Sequence, residues 1–86
     1  MKRTYNDVAL ETILFVMSGK YRIIVEDYDH EALRWRADKP PVGTWEGAAN
    51  DFSKMPWKYQ RAKVYEVIPV NETTIKFKIS TQFEQY

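Results

Sequence analysis

The sequence predicts an α+β domain of two layers, an N-terminal helix packed on a mostly antiparallel four-stranded sheet in the order αββ-short α-ββ. Three observations carry that prediction. Thr4 to Ser18 is apolar around most of a helical circumference. Tyr21 to Glu26 alternates at the period of a half-buried strand. Val64 to Val70 and Thr74 to Ile79 read as two arms of a hairpin. The chain of 86 residues makes one domain, 1–86, with a core small enough that packing efficiency decides stability.

The first helix has a start and a stop. Thr4 supplies a cap, Asp7 is an acid near the positive end of the dipole, and Gly19 follows as the left-handed stop. Tyr5, Val8, Ala9, Ile13, Phe15, Val16 and Met17 cover more than half of its surface, and Leu10 and Leu14 extend it. Asp7, Glu11 and Ser18 alone form a wet edge. Thr12 to Met17 also satisfies the pattern of a buried strand. The capping signal and the helix formers Ala9, Leu10 and Glu11 favour the helix. A helix this apolar needs more cover than one small sheet usually supplies.

In the first strand Tyr21, Ile23 and Val25 share one face, and Arg22, Ile24 and Glu26 the other. Asp27 to His30 is a polar connection, after which Ala32 to Ala37 reads as a second strand with Leu33 and Trp35 inward. Asp38 to Gly43 breaks the pattern with two prolines, and Thr44 to Ala48 resumes the strand or forms a short edge piece. Asn50 to Arg61 lacks a strand pattern, and Pro56 opens a short helical turn through Tyr59 or Gln60. In the last hairpin a three-residue loop sets Tyr65, Val67 and Pro69 opposite Ile79, Phe77 and Ile75, and Glu66 opposite Lys78. Thr81 to Tyr86 reads as a frayed tail.

Hydrophobic content of 44% and charged content of 29% are those of a soluble globular protein. Aromatic content of 15% exceeds what one small core needs, so some rings are expected at a binding surface. The absence of Cys excludes disulfides and thiolate metal sites. Net charge is +1, with seven basic and seven acidic residues in 1–43 and six and five in 44–86, so no global steering toward nucleic acid is implied. Asp7 and Glu11 interrupt any leader-like apolar run, and Ile13 to Met17 is too short to span a bilayer. The expected location is the cytoplasm.

GKYRIIVED, TWEGAAND and PWKYQRAKVYEVIPVNETTIKFKI, following an apolar helix, resemble small uncharacterised proteins encoded by bacteriophages and prophages. The resemblance covers most of the chain, with DKPPVG as an insertion, and no motif within it is catalytic. It implies an accessory role, in host takeover or counter-defence, in the bacterial host cytoplasm.

Three constellations compete for function. Trp35, Trp45, Trp57 and Tyr59, with Leu10 and Leu14 on the leftover face of the helix, suggest a protein-binding surface, or a homodimer if the cover is a second subunit. The plainer reading is that residues 38–62 fold over the helix and hide it. Lys54, Lys58, Arg61 and Lys63 form a basic run interleaved with Phe52, Trp57 and Tyr59, the combination that single-stranded nucleic acid needs. A solvated face with buried aromatics explains the same residues. Asp27, Asp29, His30 and Glu31 would serve a small-ligand or metal-dependent enzyme, but turns are normally polar, and neither a second His nor a calcium-loop spacing is present. The leading expectation is a non-enzymatic binding protein without cofactor or metal.

Overall fold

The computed structural model describes residues 8–35 and 38–81, the stretch 33–35 by its backbone alone. Helix α1 (Leu10–Phe15) leads to strand β1 (Arg22–Asp27), helix α2 (His30–Trp35) and strand β2 (Gly43–Ala48). A 3-10 segment kinked at Asp51 (Ala49–Lys54), helix α3 (Trp57–Gln60) and strands β3 (Lys63–Pro69) and β4 (Thr74–Ser80) complete the order.

The sheet runs β2-β1-β4-β3. Pairs β1/β2 and β3/β4 are antiparallel, whereas β1/β4 is parallel. The α+β class and the mostly antiparallel character are as expected, but the sheet is mixed. Its register puts Ile23, Val25 and Asp27 of β1 on one face with Ile75, Phe77 and Ile79 of β4, Trp45 and Gly47 of β2, and Val64 and Val67 of β3. That face carries the core: Leu10, Leu14, Met55, Tyr59 and Ala62 pack down on Ile23, Val25, Val64, Phe77 and Ile79. The other face is a charged lattice, with Arg22 bonded to Glu46 at 2.9 Å, Lys76 beside Glu26 at 3.7 Å and Lys78 beside Glu66 at 3.8 Å.

The first helix is shorter than the sequence predicts. Val8 and Ala9 are extended and join the edge of β3, where Leu10 N–H donates to Ala62 O, Val64 N–H donates to Val8 O, and Ala9 bridges Lys63. Backbone pairing with an exposed strand outweighs the modest helix propensity of this stretch. At the far end the helix stops after Phe15, with Val16 as its C-cap at φ −102° and ψ 2°. The β-branched Thr12, Ile13 and Val16 give little support for longer extension. The expected cap at Thr4 lies outside the described residues.

The strand expected at Ala32 to Ala37 is not formed; His30–Trp35 is helix α2 instead. Glu31, Ala32, Leu33 and Arg34 are good helix formers, and six alternating residues were too few to outweigh them. The antiparallel partner of β1 is β2, the short edge piece. Pro56, expected as the first helical residue, is instead the N-cap of α3, extended at ψ 137°, with its carbonyl accepting from the Tyr59 and Gln60 N–H groups.

In the last hairpin Glu66, Val67 and Pro69 face Lys78, Phe77 and Ile75 as the sequence implies. Tyr65 does not face Ile79, however. A bulge between Val64 and Glu66 passes that place to Val64, which is 8% exposed. Thr81, expected to begin a frayed tail, is anchored: its N–H and hydroxyl donate to the buried Asp27 carboxylate at 3.0 and 2.8 Å. Residues 82–86 lie outside the described set.

Candidate functional site

The inner stripe of α1 decides what its outer flank presents. Leu10, Ile13 and Leu14 recur at i, i+3 and i+4 and pack on the core, joined by Met17 just past the helix, Leu10 and Leu14 with 0% and 2% of their surface left. Phe15 and Val16, one and two residues beyond Leu14, therefore turn away from the sheet, and they are 78% and 80% exposed. Phe52, on the 3-10 segment, packs partly against the core. With Glu11, Thr12, Phe15 and Val16 it lines a groove of about 340 Å³. Large apolar side chains exposed side by side along a groove are a feature of interaction sites rather than of an ordinary wet surface.

The fold scatters the residues that the sequence groups as a partner surface. Leu10 and Leu14 belong to the core, which corrects their assignment: side chains without accessible surface do not meet another molecule. Tyr59 is also inside, 6% exposed, its hydroxyl against Gly43 so closely that a side chain there would collide with it. Burial, and then the charge of Asp27, raise its phenol pKa. Trp45 is half-buried on β2, with the far edge of its indole over Gly47. Trp57 stands out at 69% exposure, and Trp35 ends α2 with its side chain outside the described set.

The basic run is divided as well. Lys54 is exposed and lies 3.9 Å from Asp51. Lys58 and Arg61 are exposed around α3, the Lys58 ammonium 5.8 Å from the Tyr59 ring and the Arg61 guanidinium 4.9 Å from the Trp57 ring. Lys63 leaves this group; it opens β3 with its ammonium 5.4 Å from the Tyr65 ring. Trp57, Lys58 and Arg61 remain as a compact exposed cluster.

Around the β1–α2 connection Asp27 and His30 each meet a residue from a later part of the chain. Asp27 is 3% exposed and held by Thr81, whereas His30 Nδ1 lies 2.9 Å from the Tyr65 hydroxyl. Burial raises the Tyr65 pKa. Among the described residues no group of three or more His, Cys, Asp or Glu side chains is placed to hold a metal, and no helix is long and apolar enough to cross a membrane.

Phe15, Val16 and Phe52 were legible as apolar residues but not as a site. The signal that separates them is the i, i+3, i+4 stripe from Leu10, which once assigned to the sheet leaves Phe15 and Val16 outside. No protein-family model, curated protein or solved structure matches the chain.

Proposed function

We propose that the chain is a non-enzymatic binding module that docks a protein partner on the outer flank of α1. One observation carries this reading: Phe15 and Val16, 78% and 80% exposed, stand beside a groove that Phe52 closes. Apolar anchors next to a concavity are the usual form of an interface hot spot, because a partner side chain seated there loses contact with water on every side. Glu11 at the rim favours a partner with a basic residue beside its apolar anchor. A module of this kind suits the accessory role in a bacterial host cytoplasm that the resemblance to phage and prophage proteins implies.

A second reading rests on Trp57, whose exposed indole with the Arg61 guanidinium on it and Lys58 beside it offers a stacking platform with positive charge. The lattice lysines Lys76 and Lys78 do not extend it, since they are paired with Glu26 and Glu66.

The two readings separate in one experiment. Chemical cross-linking in the native cell is compared for the wild type, Phe15→Asp with Val16→Asp, and Lys58→Glu with Arg61→Glu. The expected result is a protein adduct lost in the first variant and kept in the second, with recovery of the complex insensitive to salt. An adduct that survives Phe15→Asp with Val16→Asp removes the α1 site. Nucleic acid recovered instead, and lost with Lys58→Glu and Arg61→Glu as salt rises, transfers the function to α3.

A further inference from the structure

The two edges of the sheet are built differently. The β3 edge carries four devices against strand addition: Lys63 at its start, the bulge between Val64 and Glu66, Pro69 near its end, and Val8 to Leu10 laid along Ala62 to Val64. Among the described residues the β2 edge carries one, the exposed charge of Glu46. Gly43–Ala48 contains no Pro, no Lys and no bulge, and among the described residues it pairs with β1 alone.

The phase of the ladder shows which groups that open edge offers. Ala49 N–H donates to Tyr21 O, while Arg22 N–H turns the other way to Thr73 O and Tyr28 N–H to Ile79 O. Trp45 and Gly47 therefore direct their backbone groups to β1, and Thr44, Glu46 and Ala48 direct theirs outward. Thr44 and Glu46 are exposed, and Trp45 is half-buried on the helix-covered face.

We propose that β2 pairs antiparallel with β2 of a second copy of this chain, about a two-fold axis through Trp45, to make one continuous sheet. The sequence of the strand selects both the occupant and the register. Centred on Trp45, the pairing sets Trp45 against Trp45 of the second copy at a non-hydrogen-bonded position, where side chains approach most closely. It sets each Thr44 against Glu46 and each Gly43 against Gly47, and forms about four hydrogen bonds between the chains. Centred on Glu46, the same strands would oppose two carboxylates, which is unfavourable. Centred on Thr44 the pairing would run back past Gly43, and centred on Gly47 it would run past Ala48 into the 3-10 segment, so both lose length. The Trp45 register is the one in which both faces of the strand match themselves. It uses a surface separate from the α1 flank and stands independently of that reading.

Sedimentation equilibrium of the full chain, from micromolar to millimolar concentration, tests the proposal. Wild type is expected to show a monomer–dimer equilibrium. Thr44→Lys, which faces Glu46 of the second copy twice by symmetry, should tighten it, and Thr44→Glu should loosen it, each by about tenfold. Glu46→Pro removes an outward N–H, together with the exposed Glu46 bond to Arg22, while leaving the backbone ladder to β1 in place, and should leave monomer with an unchanged circular dichroism spectrum. A monomer at every concentration overturns the proposal. So does a dimer indifferent to the charge at position 44 or retained in Glu46→Pro. A dimer lost only in Phe15→Asp places the interface on α1 and overturns it equally.

Discussion

Tyr28 reports the electrostatics of the charged sheet face from a single side chain. Its hydroxyl donates to Glu26 at 2.7 Å, and the Lys78 ammonium lies 5.3 Å from its ring. Burial, then the bond to Glu26 and the charges of Glu26 and Glu66, push its pKa from 10.0 to about 12. The folded chain thus holds this phenol proton more tightly than the unfolded chain does. The associated stability is fully present below pH 10.0, and it is lost as pH rises through about 12. A near-ultraviolet titration of tyrosinate should show a phenol ionising near pH 12, and Tyr28→Phe should abolish that last step. An unchanged final step in Tyr28→Phe would mean that another tyrosine carries it. Thr81 makes the complementary point for Asp27: a buried carboxylate is tolerated where two donors meet it.

At the scale of the element, α1 divides into a stripe that holds the fold and a flank that does not. Leu14→Ala empties a core position and should cost about 2–5 kcal/mol, whereas Phe15→Ala should stay within about 0.5 kcal/mol. Denaturant titration of the two variants measures the contrast directly, and equal losses would place Phe15 in the core. Much of this was legible in advance where the information was local. The 66–69 and 75–78 pairing followed from alternation and the Glu66–Lys78 match, and Pro56 announced α3. What was not legible lay in competition between neighbours. Ala32 to Ala37 alternates like a strand yet holds strong helix formers, so a few residues of pattern pointed the wrong way. The start of α1 depended on whether Val8 and Ala9 would find the edge of β3, a partner more than fifty residues away in the chain. The exposed flank was hidden for the same reason, since only the final length and facing of α1 separate Phe15 from Leu14.

For the whole molecule, strand order matters more than strand content. The first and last described strands, β1 and β4, meet in parallel at the centre, a pairing that local sequence does not encode. That arrangement closes the chain on itself and buries Val25 and Phe77 completely. Hydrogen exchange should therefore be slowest at the backbone amides of β1 and β4. In dilute solution the outward amides of Thr44 and Glu46 should exchange quickly, and they should slow as concentration rises. Rapid exchange at β1 and β4 would mean that their parallel pairing opens readily. The contrast between the two rims also limits how large any assembly grows. A fibril requires each unit to accept neighbours on both sides, and here the rim formed by β3 is spoiled by its kink and its proline. Once two molecules have joined through their receptive sides, only refusing ones remain, and growth ends there.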